Sequence, residues 1–315
     1  MTDVEPLTLF DLKDNNLLDK IADAIPNIVG EINNKKMIFL SCISKDLPRK
    51  FRDGLSIVVS SKSSAGKSTL IENCLKPFKK SVFEITKFTE SFFQRHFKDK
   101  SLDNMIIHQE QMEKTNSIGQ ACFDIPKFQL SEGITRIGLS ERDSHGKFQD
   151  TVFEITGMPI IIASTTNPDI EPQQLNRITL LQTDESEQQT KKILTAILKG
   201  YSTNRDNYSN DNLDELTKLC ELYKKECKLI NDIVIPFENQ LIEKFPKTLE
   251  MRRDLTKILN YTCIIAFLHF KIRKKIRVIE TGFTGTNFWN YNKNGVVKPP
   301  PKRATTILNQ FTGLS

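Results

Sequence analysis

The chain has 315 residues, of which 27% are charged and 38% hydrophobic, the composition of a soluble globular protein with two or three small units around at least one sizeable core. Its net charge of +6 suits a polyanion partner such as nucleic acid without requiring one. The longest apolar run, YTCIIAFLHF, falls well short of the ~20 residues a membrane span needs. The first residues, MTDVEPLTLFDLKDNN, lack the basic and apolar regions of a secretory signal. Six scattered cysteines form no CxxC pair and no Cys/His cluster at zinc spacing, so they read as reduced, mostly buried thiols. The expectation is a cytoplasmic protein with no membrane contact.

In chain order, Leu17 to Leu47 carries apolar residues at helical spacing, which predicts two or three amphipathic helices ending at DLPRKFRDG. From Leu55 the pattern changes. LSIVVS, SVFEIT, NMIIHQE and PIIIAST are short β-rich runs, and the text between the first three, from Gly66 and through TESFFQRHF, is helical. Such alternation predicts a mostly parallel sheet covered on both faces. GITRIGLS and TVFEITG, flanking ERDSHGKFQD, predict an inserted β-hairpin whose tip holds Asp143, His145, Gly146 and Lys147. From about Glu187 to Lys275 the chain reads as helical, broken by the polar GYSTNRDNYSNDN, and the Gly-, Asn- and Pro-rich end reads as loosely ordered. The divisions are a helical segment over 1–50, an α/β core over 51–197 with the hairpin at 134–156, a helical unit over 198–278 and a tail over 279–315.

The stretch SIVVSSKSSAGKSTLIENCL has the form of a phosphate-binding loop, although Ser61 stands where the pattern's first glycine belongs. A strand over Ile57 to Val59 leads into Ser63, Ser64, Ala65 and Gly66, whose backbone N–H groups would cradle phosphates at a helix N-terminus. Lys67 is the phosphate-reaching cation, Ser68 the Mg²⁺ ligand, and Thr69, next on the helix, completes the nucleotide-binding set. Ser61 can replace glycine if its backbone lies in an ordinary region. The cofactors expected are ATP and Mg²⁺.

Hydrolysis needs a carboxylate to orient water, usually at the end of a strand beside the loop strand. Glu110, after Met105 to Ile107, stands there as the base. Gln109 takes the position of an acid that organises the metal through water, which an amide does less well. Thr165, Thr166 and Asn167 end a further strand, and Asn167 could hold the attacking water or contact the terminal phosphate. Arg177, directly before another strand, could stabilise charge on a neighbouring subunit's nucleotide.

Together these segments, with LSEGITR, STTNPDI…NR and the stretch from IVIPFENQLIEKFPKTLEMRRDLTKIL to FLHFKIRK, resemble the helicase-like AAA+ ATPase module of phage and mobile-element primase-helicase proteins. The resemblance covers most of residues 30 to 275. It implies an α/β AAA+ P-loop core with a parallel sheet between helices, N-terminal helices, a C-terminal helical lid and a ring of six identical subunits moving on DNA. It makes Glu110 the Walker B acid, Asn167 a sensor, Arg177 the arginine finger, and Arg252 or Arg253 a second sensor on the nucleotide. His145 and Lys147 at the hairpin tip would grip single-stranded DNA without reading sequence. The family's zinc finger and primase are not found in this sequence, so priming is not implied, although a primase is a candidate partner. The readings that follow are an ATP-dependent DNA helicase or translocase in replication of a mobile element, plasmid or virus, or an ATP-switched initiator or loader with weak hydrolysis. A small P-loop kinase would explain the loop and strands but neither the hairpin nor the NR element.

Overall fold

The computed structural model describes residues 7–86, 90–110, 129–130, 132–142, 148–166, 177–202, 211–228, 233, 235, 241 and 243–273. Two helices open it, α1 (Leu17–Ala24) and α2 (Ile32–Ser44). The apolar stripe of α1 buries Leu17, Leu18 and Ile21, whereas α2 is enclosed along its second half from Ile38 to Ser44. A helix buried on all sides must satisfy its polar side chains internally, and Ser41 Oγ accordingly donates to the Leu55 carbonyl at 2.6 Å.

The strands β1 (Ser56–Ser60), β2 (Val82–Ile85), β3 (Ile106–Gln109), β6 (Ile160–Thr165) and β7 (Ile178–Gln182) form a five-stranded sheet in the order β2-β3-β6-β1-β7. Every neighbouring pair is parallel. The β-branched runs read from sequence are these strands, and period-two alternation sorts their side chains between two cores. Ile57, Val59, Ile106, Ile160 and Ile162 face the larger core with α1, α2, α3 (Lys67–Leu75), α6 (Asp211–Cys227) and α7 (Met251–Leu268). Ile107 and Ile161 face the other way, against Phe93 of α4 (Glu90–His96), Phe97, and Phe153 and Ile155 of the hairpin. The sheet is therefore covered on both faces, as the alternation predicted.

The hairpin itself is β4 (Ile134–Arg142) paired antiparallel with β5 (Phe148–Thr156). Helix α5 (Glu187–Ser202) runs without a break through the 197–198 boundary drawn from sequence. Its residues Leu194, Ile197 and Leu198 stay 55, 50 and 70% exposed. Helices α6 and α7 do not form a core of their own among the described residues; they share that of α1, α2 and the sheet. Tyr223 of α6 donates from its hydroxyl to the Leu268 carbonyl at 2.7 Å. Cys42, Cys74, Cys220, Cys227 and Cys263 are buried and in no disulfide, and Cys122 lies outside the described residues. The tail also lies outside them. No described helix is long and apolar enough to cross a membrane.

Between the hairpin and β6 the backbone turns at Gly157 (φ +93°), where an added Cβ would lie 2.4 Å from the Asp103 nitrogen and 2.6 Å from that of Leu102. Left-handed backbone and this close approach both demand glycine. Gly157→Ala is expected to lower unfolding stability by roughly 2–4 kcal/mol in chemical denaturation, the sum of torsional strain and overpacking.

Asp103, beside that turn, is partly buried, which alone would raise its carboxyl. Hydrogen bonds from Arg49 and the Met158 N–H and the nearby Arg52 guanidinium outweigh this and hold it at about 2. A depressed carboxyl stabilises the fold fully above its unfolded value, near 4, and loses that contribution as pH falls toward 2. Acid titration of wild type should therefore show a stability loss between about pH 4 and 2 that is smaller by up to ~2 kcal/mol in Asp103→Asn.

Candidate nucleotide site

The end of β1 leads directly into the loop and α3. Gly66 caps the helix in the left-handed region (φ +81°), and a Cβ built there meets no atom within 4 Å, so the loop is open on that side. Ser64 is also left-handed, at φ +65°, whereas Ser61 is not among the positive-φ residues. The substitution of serine for the first glycine is thus tolerated by ordinary backbone. The strained position is Ser64, which the sequence pattern does not mark. Ser63 is exposed, Ala65 half-buried, and Ser68 and Thr69 are exposed on the first turn of α3.

Lys67 is 8% exposed, and its Nζ donates to the carbonyls of Ser61 at 2.7 Å and Lys62 at 2.6 Å. Burial lowers the ammonium's pKa and the Glu185 carboxylate works against that. An ammonium has three protons; two are held by the loop's own carbonyls, which aims the third. Glu185, between β7 and α5, accepts the Lys62 N–H at 2.9 Å and lies 3.2 Å from Lys62 Nζ, pinning the first half of the loop. Those bonds from Lys62 also lower the Glu185 carboxyl. Beside this anchor a groove bordered by Glu185, Thr190, Lys191, Leu194 and Leu198 runs along α5. On the same side of the sheet, Glu31 accepts the Asp184 N–H at 2.8 Å and Asn34 donates to the Gln182 carbonyl at 2.8 Å, so the start of α2 braces the end of β7.

Glu110 follows β3 at the same C-terminal edge of the sheet and is exposed. Its position differs from the expectation in one respect: β3 is not beside the loop strand, because β6 pairs with both and separates them. Non-local pairing, not local pattern, decides which parallel strands are neighbours. Two inter-strand spacings, roughly 10 Å, therefore divide the acid from the loop. Thr86 Oγ1 donates to Glu110 Oε2 at 3.1 Å, the Ile85 carbonyl accepts the Glu110 N–H at 3.3 Å, and Ser164 Oγ donates to the Glu110 carbonyl. Gln109 is buried and in register with Ile85 and Ala163. It shares a sheet face with Ile107, whereas His108, hydrogen-bonded through Nδ1 to Glu84 at 3.2 Å, lies on the face of α3.

Thr165 is buried at the end of β6, its carbonyl accepting the Ser61 N–H at 3.3 Å, and Thr166 is exposed. Asn167, and the hairpin tip with His145 and Lys147, lie outside the described residues. Arg177 directly precedes β7, as read from sequence, at the N-terminal edge of the sheet, where Ile178 pairs with Ser56. There Asp53 lies within electrostatic reach of Lys257, Arg177 and Arg253, and Asn260 of α7 donates to its carbonyl at 2.8 Å. Arg252 and Arg253 head α7. Arg177 and Arg253 thus do not meet their own loop: the five residues of β1 put about 16 Å between the two edges. A nucleotide contact by Arg177 or Arg253 requires the nucleotide of another copy. Sequence reasoning placed Ser64 in the cradle but not its left-handed backbone, and it missed Thr86, Ser164 and Glu185; of these three only Thr86 and Glu185, polar residues just past β-rich runs, carry a signal of any kind.

No family model matches this sequence, and no curated protein matches it. Among solved structures the fold is similar to one described as SCCmec type IV Cch, an active helicase, at 13% identity and a TM-score of 0.39. That match covers 84% of this chain and 47% of the other, so the chain spans about half the length of that structure. At that distance the likeness assigns neither fold family nor activity.

Ser61 Oγ is a buried hydroxyl with no hydrogen-bond partner among the described residues. Removing it offsets the ~0.5–1 kcal/mol of chain entropy that glycine adds. Ser61→Gly is therefore expected to leave nucleotide affinity within about twofold in calorimetric titration. Ser64→Val, which places a β-branched residue in the left-handed region, should weaken it about tenfold, the equivalent of ~1–2 kcal/mol.

Proposed function

We propose that this chain is an ATP hydrolase of the AAA+ class that works as a DNA helicase or translocase. The observation that carries the reading is the pairing, at one edge of a parallel sheet, of the Gly66–Lys67–Ser68 helix start with Glu110 two strands away. A gap of roughly 10 Å is too wide for direct contact but fits a terminal phosphate and a water between lysine and carboxylate. The five-stranded parallel sheet with helices packed against it supports the α/β P-loop core that the sequence resemblance implies.

Each group then has a task. Backbone N–H groups from Ser63 to Ser68 and the third Lys67 proton bind the phosphates, and Glu110 accepts a proton from water. The Ser68 hydroxyl, exposed on the first turn of α3, would hold Mg²⁺ together with the phosphates, with Gln109 as the outer contact. When bound, the ion neutralises phosphate charge. Thr86, donating to Glu110, keeps the carboxylate oriented and must release it as the water is activated. Asn167 would steady that water. Arg177 from a second copy supplies the charge missing at the loop edge, which calls for a closed ring, here a homo-hexamer. The exposed apolar face of α5 supports such contact between copies. The partner at the hairpin tip, through His145 and Lys147, is single-stranded DNA bound by its backbone.

A second reading, an ATP-switched initiator or loader that turns over poorly, is favoured by one observation. Gln109 is an amide where an acid would organise the metal, and it is buried at the end of β3.

Purified protein is expected to hydrolyse ATP faster with single-stranded DNA. Lys67→Ala should abolish turnover, and Glu110→Gln should lower kcat by roughly a hundredfold or more with little change in KM. Arg177→Ala should be inactive alone yet recover activity when mixed with Lys67→Ala, since each then supplies what the other lacks. Nucleotide binding and ring formation without DNA-stimulated turnover would instead establish the switch.

A further inference from the structure

The foot of the hairpin is joined to the central sheet by a continuous backbone ladder. Residues 99–109 run beside residues 154–163 in parallel. The Asp99 N–H donates to the Glu154 carbonyl at 3.1 Å, Thr156 N–H to Lys100 at 3.2 Å, Leu102 N–H to Thr156 at 2.7 Å and Ile160 N–H to Met105 at 3.0 Å. Beyond that point β3 and β6 continue the pairing to Gln109 and Ala163. One rung is made differently. At the Gly157 turn the Met158 N–H donates to the Asp103 side chain, at 3.1 Å from Oδ1, so a carboxylate stands in for a backbone acceptor.

That carboxylate is held from two sides. Arg49 Nη2 lies 2.8 Å from Oδ2 and Arg52 Nη2 lies 2.9 Å from Oδ1. Arg52, whose side chain is 4% exposed, also donates from Nη1 to the Met158 carbonyl at 2.7 Å. Arg49 packs on the other foot of the hairpin, where a Cβ on Gly133 would come within 3.0 Å of its Nη1. The two feet are tied to each other by the Gly157 N–H donating to the Gly133 carbonyl at 2.8 Å. Two arginines and one aspartate thus grip both hairpin feet and the entries to β3 and β6 at once. A surface ion pair alone contributes little. Here the pair closes the single side-chain rung in an otherwise backbone ladder, so its effect is to stiffen the joint.

We propose that Arg49, Arg52 and Asp103 are positioning residues that make the β4–β5 hairpin and the β3–β6 strand pair move as one body, coupling the hairpin's load to the placement of Glu110. The proposal rests on the nucleotide and nucleic-acid readings of the two ends. Such coupling is reciprocal: nucleotide at the loop must alter the hairpin as much as polymer on the hairpin alters the loop.

Two variants test it. Arg49→Ala removes a side chain that is 42% exposed, and Asp103→Asn keeps an oxygen for Met158 while losing the charge. Both are expected to retain basal ATP turnover and affinity for a single-stranded oligonucleotide within about twofold, while the stimulation of turnover by that oligonucleotide falls at least about fivefold. Arg49→Lys should recover part of it. Undiminished stimulation in Arg49→Ala and Asp103→Asn overturns the proposal. Hydrogen exchange supplies a readout independent of DNA. A non-hydrolysable ATP analogue should change protection at residues 134–138 and 152–156 in wild type and not in the variants. If the variants respond like wild type, the clamp is not the joint. An oligonucleotide that fails to bind wild type defeats the nucleic-acid reading alone, leaving the exchange result to decide the clamp; an analogue that fails to bind defeats both.

Discussion

The site depends on one constraint, the pairing of β6 with both β1 and β3. It fixes the distance between the loop and the acid at two strand spacings, roughly 10 Å. It also anchors both: the Thr165 carbonyl takes the Ser61 N–H at 3.3 Å, and Ser164 Oγ donates to the Glu110 carbonyl. Backbone bonds of a central strand are among the least mobile features of a fold. The two halves of the site are therefore referenced to one rigid element, and neither is free to drift on its loop. Thr86 adds a third reference from β2, on the far side of the acid.

Much of this was legible in the sequence because it is local. The β-branched runs at Ile57, Ile106 and Ile160 announce buried parallel strands, and the turn chemistry around Gly66 announces a helix start after a strand. The hairpin followed from alternation alone. What could not be read is what depends on distant pairing. Nothing between Leu55 and Gln182 says that β6 rather than β3 lies beside β1; that order follows from which crossovers fit. The placement of Arg177 directly before a strand was readable, but that this strand's start lies at the edge away from the loop became clear only with the register of Ser56 and Ile178.

The same distinction explains the residues that were missed. The left-handed backbone of Ser64, a residue the sequence does place in the cradle, has no sequence mark, since serine is not a residue that favours it. Glu185 looks like one acid in the polar stretch QTDES until its carboxylate is found on the Lys62 N–H. Asp103, in SLDN, looks like a turn residue, and its local bonds to Ser101 agree with that. Its bonds to Arg49, Arg52 and Met158 span more than fifty residues and give it a different importance.

The two ends of β6 now carry different loads. The first residue, Ile160, continues a ladder that begins in the hairpin and passes through Asp103. The last residues, Ser164 and Thr165, hold the acid and the loop. Six residues of extended strand, about 20 Å, thus join the foot of the hairpin to the loop and Glu110. An extended strand hydrogen-bonded on both sides transmits displacement without bending, provided that its entry is fixed. The carboxylate rung at Met158 is where the ladder leaves the backbone, so it is there that the stiffness of the connection is set.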